Sequence, residues 1–193
     1  MKYELQMIHP FTREPVVFQI SEFVHKAYQF AKKAHQGQKR KYTGEDYINH
    51  PVEVMSIVST VTHTEEMLAA ALLHDNFEDC GITLYQIKKE FGWQVMAYVN
   101  DLSDVSKPED GNRELRKKLD RDWIAEAYPA SKTIKLADLI SNSRSIVKHD
   151  KDFARVYIKE KELLLEVLTE GDATLYAKAK QIVEEAKKEL ELE

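Results

Sequence analysis

The chain has 193 residues, of which 43% are hydrophobic and 32% charged, with six Gly and five Pro. That is the make-up of an ordinary globular protein with enough length to bury one core, and it excludes a disordered or fibrous chain. Lys and Arg number 28 against 33 Asp and Glu, a formal charge of -5, which argues against nucleic acid or an anionic membrane as a general partner. The lone Cys80 excludes an intramolecular disulfide and a cysteine-rich zinc site and points to a reducing, cytoplasmic setting. No uninterrupted apolar run approaches the roughly 18 residues of a membrane span, and Lys2, Glu4, Gln6 and His9 interrupt the first ten residues, unlike a signal peptide.

In chain order, Pro10 and Pro15 bracket a turn and residues 16–20 suit a short strand, so residues 1–20 read as an N-terminal extension. From Ser21, a candidate N-cap, Phe23, Ala27, Phe30, Ala31 and Ala34 recur at helical spacing and predict a helix over about 21–36. Gly37 and Gly44 mark a loop, and Pro51 fits the first turn of a second helix. The third helix, about 64–79, contains the run 67–73, apolar on all sides and therefore central. Further helices are expected over 83–91 and 93–102, with Gly92 between them, and then a loop over 104–112 with Pro108 and Gly111. Leu115, Leu119 and Trp123 stripe a helix that stops before Pro129, and Ile134, Leu136, Ala137, Leu139 and Ile140 mark another buried one. Residues 153–168 and 173–192 complete the chain, with Gly171 as a C-terminal cap and Asp172 as an N-cap. The fold class is all-α, eight or nine helices around one core, with residues 21–193 as a single domain. The amphipathic last helix suits its own core or a second copy in a homo-oligomer.

The third helix carries the chemistry. Its apolar run leads into His74, Asp75, Glu78 and Asp79, and ionisable groups at a buried helix end are costly unless paired or bound to a metal. Glu78 lies one turn beyond His74 and Asp79 one turn beyond Asp75, so two ligands and two carboxylates share a narrow arc. The bland reading is a helix C-terminus with exposed acids. The sequence supplies its own control in His149-Asp150, which lies in a charged segment at a helix boundary and reads as solvated surface. Two more residues sit in suggestive settings: His50, where a loop enters a helix before Pro51, and Asp138, a lone acid on a buried helix that Lys135 or Arg144 would otherwise pair. Two imidazoles and two carboxylates suit Mn²⁺, Fe²⁺, Zn²⁺ or a similar ion with water positions left open. Lys32, Lys33, Lys39, Arg40 and Lys41 form a basic patch without an acid, fit for a small anionic ligand.

The blocks Ala34-His35-Gln36-Gly37-Gln38-Lys39-Arg40-Lys41, Tyr47-Ile48-Asn49-His50-Pro51, His74-Asp75-Asn76-Phe77-Glu78-Asp79 and Lys135-Leu136-Ala137-Asp138, with Asn142 and Arg144, resemble in order and spacing the hydrolase domain of RelA/SpoT proteins, a branch of the HD superfamily. The resemblance covers about residues 21–168. The length resembles stand-alone small alarmone hydrolases, metazoan SpoT homologues among them, and leaves no room for a synthetase region.

That resemblance implies an HD helical bundle and one Mn²⁺ held by His50, His74, Asp75 and Asp138, with Glu78 and Asp79 handling the attacking water. It further implies Arg40 stacked on the base, Lys41 at phosphate or base edge, and Asn142 at the nucleoside. Lys107 and Arg113, on or beside the long loop, are added here as candidates for the distal phosphates. The implied reaction is hydrolysis of the 3′-pyrophosphate of guanosine tetra- or pentaphosphate to GDP or GTP and pyrophosphate. Asp46 stands where the family usually has proline, and Cys80 where threonine is common; the first lies in the nucleotide-facing loop. Competing expectations are an adenine alarmone or the 2′-phosphate of NADPH at the same site, a deoxynucleotide monophosphate, or a non-catalytic alarmone-binding module.

Overall fold

The structure, a computed structural model, describes residues 2–192, and the Arg144 side chain lies outside what it describes. The N-terminal residues form a hairpin in which β1 (Lys2–Ile8) pairs antiparallel with β2 (Pro15–Ser21), in register from Lys2 opposite Ser21 to Ile8 opposite Pro15. The polar interruptions at Lys2, Glu4 and Gln6 are thus the outward half of a period-two strand whose inward Leu5 is buried. At the turn, Arg13 adopts φ 64 and the His9 ring accepts from the Phe11 and Thr12 N–H groups. Tyr3 stacks on His25 at 4.0 Å, and Arg13 meets Glu53 at 2.9 Å, which fastens the hairpin to the first two helices.

The chain divides into two compact units, one ending at Ser103 and one beginning at Asp104. The first contains α1 (Glu22–Ala34), α2 (Asn49–Val58), α3 (Glu65–Leu73), α4 (Asn76–Asp79), α5 (Leu84–Phe91) and α6 (Trp93–Leu102). Its centre is α3, whose residues from Met67 to Leu73 are all buried and which packs on α1, α2 and α6. Such a helix has no solvated face, so its stability comes from packing on three neighbours rather than from amphipathicity. Ser21 caps α1 by accepting from the Val24 N–H, and Thr64 caps α3 by accepting from that of Met67.

The second unit contains a 3₁₀ turn (Pro108–Asp110), α7 (Arg113–Ala125), α8 (Pro129–His149), α9 (Lys151–Leu165) and α10 (Ala173–Glu189). Helices α8, α9 and α10 pack on one another, and Asp172 caps α10 by accepting from the Thr174 and Leu175 N–H groups. The all-α class with a short β element is as expected. Gly171 differs in its reason: it does not cap α9, which ends six residues earlier, but lies where an added Cβ would come within 2.7 Å of Leu136 Cδ1. Asp150 caps α9 by accepting from the Phe153 N–H, so the control pair His149-Asp150 has a structural task.

Candidate metal centre

The expected third helix is interrupted where its chemistry begins. Regular α3 stops at Leu73, His74 and Asp75 form a turn, and α4 resumes at Asn76. A side-chain bond accompanies the break: His74 Nδ1 lies 2.8 Å from the carbonyl oxygen of Ala71, three residues back. A carbonyl only accepts, so this nitrogen carries the proton and Nε2 offers a lone pair, the tautomer a metal ligand needs.

His50, on the first turn of α2, is buried, and its ring centroid lies 5.3 Å from that of His74. Asp75 Oδ2 lies 3.1 Å from His74 Nε2 and 3.7 Å from His50 Nε2. One ligand atom from each of His50, His74 and Asp75 falls within a 4.8 Å set. Two buried imidazoles and a carboxylate converging in this way, one ring already in the ligating tautomer, fit a divalent cation of borderline softness. Glu78 and Asp79 project from the exposed end of α4. The Asp79 carboxyl is held above its ordinary range, first by desolvation and then by the charge of Asp75.

Tyr47 and His35 were in the quoted blocks without a role, and the structure gives both one. Tyr47 Oη donates to Asp75 Oδ2 at 2.8 Å. Its ring is stacked on the buried His35 at 4.8 Å, and His35 Nδ1 bonds Gln38 Oε1 at 2.6 Å. Gln38 Nε2 in turn donates to the Asp79 carbonyl. The signal for Tyr47 was its place one helical turn ahead of His50; its aim at Asp75 is a tertiary fact. Cys80 Sγ lies 3.2 Å from His35 Nδ1, and burial, ahead of the charges of Asp79 and Asp75, pushes its thiol up to about 11. It is a protonated packing group at neutral pH.

Residues 38–47 close a small hairpin through the Tyr47 N–H to Gln38 carbonyl and Arg40 N–H to Glu45 carbonyl bonds, with Lys39 bridging Asp46. Lys39 Nζ meets Asp46 Oδ1 at 2.6 Å, so Asp46 closes the loop with an ion pair. The Arg40 guanidinium sits 5.8 Å above the Tyr47 ring, and the Lys41 ammonium 4.8 Å above Tyr42.

In the second unit Asp138 and Asn142 lie one turn apart on α8, and Asn142 Nδ2 donates to Asp138 Oδ1 at 2.6 Å. Lys135 Nζ is 3.8 Å from Asp138 Oδ2. Arg113 makes a two-pronged bond to Glu160 at 2.6 and 2.9 Å, and Lys107 precedes the 3₁₀ turn, exposed.

A model of the HD domain matches residues 27–163. The chain belongs to the HD-domain family. Within that family it is 35% identical over 127 residues to the human guanosine-3′,5′-bis(diphosphate) 3′-pyrophosphohydrolase MESH1, which is 63% of this chain and 68% of that protein. It is 40% identical over 89 residues to the guanosine-3′,5′-bis(diphosphate) 3′-pyrophosphohydrolase of Aquifex aeolicus, 46% of this chain but 13% of that protein. Among solved structures it resembles a metazoan ortholog of SpoT described as hydrolysing ppGpp, with a TM-score of 0.78 at 27% identity over 86% of this chain and 96% of that one. The chain spans less than a sixth of the first bacterial relatives it matches. No helix among the described residues is long and apolar enough to cross a membrane.

Proposed function

We propose that this HD-domain protein is a metal-dependent guanosine-3′,5′-bis(diphosphate) 3′-pyrophosphohydrolase, converting ppGpp or pppGpp and water to GDP or GTP and pyrophosphate. The observation that carries the reading is the convergence of His50, His74 and Asp75 within 4.8 Å, with Asp79 one helical turn further on. Asp138 is the fourth ligand on the family pattern, and the HD match across residues 27–163 supports treating the two compact units as parts of one domain. We assign Mn²⁺ as the cation and the cytoplasm as the compartment.

A divalent cation held there lowers the pKa of a bound water and offsets phosphate charge. Asp79, held above the ordinary carboxylate range, is suited to accept the water's proton, with Glu78 beside it to orient the nucleophile. The water oxygen bonds to the phosphorus on the ribose 3′-oxygen, that P–O bond breaks, and the 3′-oxygen leaves with a proton. Arg40, on the loop closed by Lys39 and Asp46, is placed to stack on the base, since a guanidinium is planar and weakly hydrated. Lys41 and Asn142 are assigned to phosphate and nucleoside. Lys107 is the more available contact for the distal phosphates, because Arg113 is engaged by Glu160.

The test is incubation of purified protein with ppGpp and Mn²⁺, with release of pyrophosphate as readout and ppApp and NADPH as a parallel panel. Turnover of another nucleotide without pyrophosphate from ppGpp would replace the substrate while keeping the site.

A further inference from the structure

Gln38 sits half-buried where α1 gives way to the loop, in a turn closed by its own N–H to the His35 carbonyl at 3.0 Å, with Gly37 at φ 84 just before it. The turn brings the two side chains together: Gln38 Oε1 lies 2.6 Å from His35 Nδ1. At the other end of the amide, Gln38 Nε2 donates to the Asp79 carbonyl oxygen at 3.2 Å, 41 positions along the chain. A backbone carbonyl only accepts, so the amide has one orientation, and with its oxygen toward the imidazole, His35 Nδ1 carries the proton. Cys80 Sγ, 3.2 Å from the same nitrogen, is the weaker acceptor there.

Two lines of contact leave this amide. One runs through the buried His35 ring, stacked on Tyr47 at 4.8 Å, to the Tyr47 phenol that donates to Asp75 Oδ2 at 2.8 Å. The Tyr47 N–H donates to the Gln38 carbonyl at 3.0 Å, so His35, Gln38 and Tyr47 brace one another as a triangle. The other line runs to α4, a helix of four residues, and the last carbonyls of a helix have no partner inside it. Asp79 is the final residue of that turn, so the group that holds its carbonyl bears on where its carboxylate stands.

We infer that Gln38 is a positioning residue for the hydrolysis: one amide ties the orientation of the ligating Asp75 carboxylate to the place of the Asp79 carboxylate that receives the water's proton. This rests on the hydrolase reading above and deepens it. The action is indirect, on Asp75 through His35 and Tyr47 and on Asp79 through the main chain. The two ends of the amide differ chemically, an acceptor toward His35 and a donor toward α4, so each can be removed without the other.

Manganese titration of the metal-free protein, with no nucleotide present, tests this beside ppGpp turnover and melting curves. Gln38→Met removes both ends and is expected to lower Mn²⁺ affinity and kcat about tenfold each, the lower end for a group that orients a ligand from outside the metal's own contacts. Gln38→Glu keeps the acceptor for His35 and loses the donor to Asp79, so Mn²⁺ affinity should stay near the parent value while kcat falls as in Gln38→Met. In a Tyr47→Phe background Gln38→Met should cost no further Mn²⁺ affinity, which a general loosening of the fold would not reproduce. Imidazole nitrogen shifts of the metal-free protein should place the His35 proton on Nδ1 and lose that preference in Gln38→Met. Should Gln38→Met melt early, Gln38→Ala takes its place. Unchanged Mn²⁺ affinity or kcat in that variant, a rise in KM alone, or a loss of Mn²⁺ affinity that persists in full beside Tyr47→Phe overturns the inference. A wild type that does not hydrolyse ppGpp, yet loses Mn²⁺ affinity with Gln38→Met only while Tyr47 is present, supports the tie to Asp75 and overturns the hydrolase reading alone.

Discussion

The phenol of Tyr47 donates to the same Asp75 oxygen that faces both His50 and His74. A ligating carboxylate with its lone pairs fixed in this way presents one orientation to a cation. Tyr47→Phe keeps the ring that stacks on His35 and removes only the donor. Metal affinity should fall about 10- to 100-fold, as for other outer-shell partners, while the metal-free protein loses only about 1 kcal/mol. Metal titration alongside thermal melting separates the two effects.

Asp79 sets activity against stability. Its pKa in the folded chain lies above the ordinary value of 3.8, first through desolvation and then through Asp75. Folding therefore favours its protonated form, and the stability it contributes is full below the unfolded value and lost as pH rises through the folded one. At neutral pH the ionised group is a net cost to the metal-free protein. Asp79→Asn should raise the melting temperature at pH 7 relative to wild type, narrow that difference toward pH 4, and lower kcat by about 10²–10⁴. A lower melting temperature for the variant at pH 7 would show that ionised Asp79 does not destabilise the folded chain.

At Gly171 the structure predicts a steric penalty. A methyl group would come within 2.7 Å of Leu136 Cδ1 and 3.2 Å of the Leu168 carbonyl oxygen and the Lys132 carbonyl carbon. Two of those three atoms are backbone, so relief requires α8 to shift. Gly171→Ala should cost about 1–3 kcal/mol in denaturant unfolding, although alanine is the better residue for most backbone conformations.

The Lys39–Asp46 bridge makes a prediction about tolerance. Among the described residues Asp46 contributes its carbonyl to the Asn49 N–H but its own N–H to no backbone bond, and its carboxylate is exposed. A proline there removes no donor that the loop uses. Asp46→Pro should therefore leave the fold and kcat/KM near their parent values, whereas Arg40→Ala should raise KM. A melting curve and a substrate titration of each variant check this.

Much of this could be read from local pattern. The Ser21 and Asp172 caps follow from residue type beside an apolar period, and the burial of residues 67–73 from a run with no polar face. The short spacing from His74-Asp75 to Glu78-Asp79 likewise follows from the sequence, one helical turn separating the pairs. What escaped depends on contacts across the chain or on a rotamer. The break after Leu73 accompanies a ring turned back onto Ala71, which helical periodicity does not encode. Tyr47 reaches Asp75 across 28 positions, and the pairing of residues 2–8 with β2 is likewise a contact across the chain.

The bond from His74 to Ala71 also bears on when the ring is ordered. A free imidazole samples several rotamers and two tautomers, and a ligand that must select one spends part of its affinity doing so. Here that selection is made as α3 terminates, by a carbonyl the chain has already fixed. The entropy of orienting the ring is charged to folding, so a cation held there would meet a donor that is already oriented.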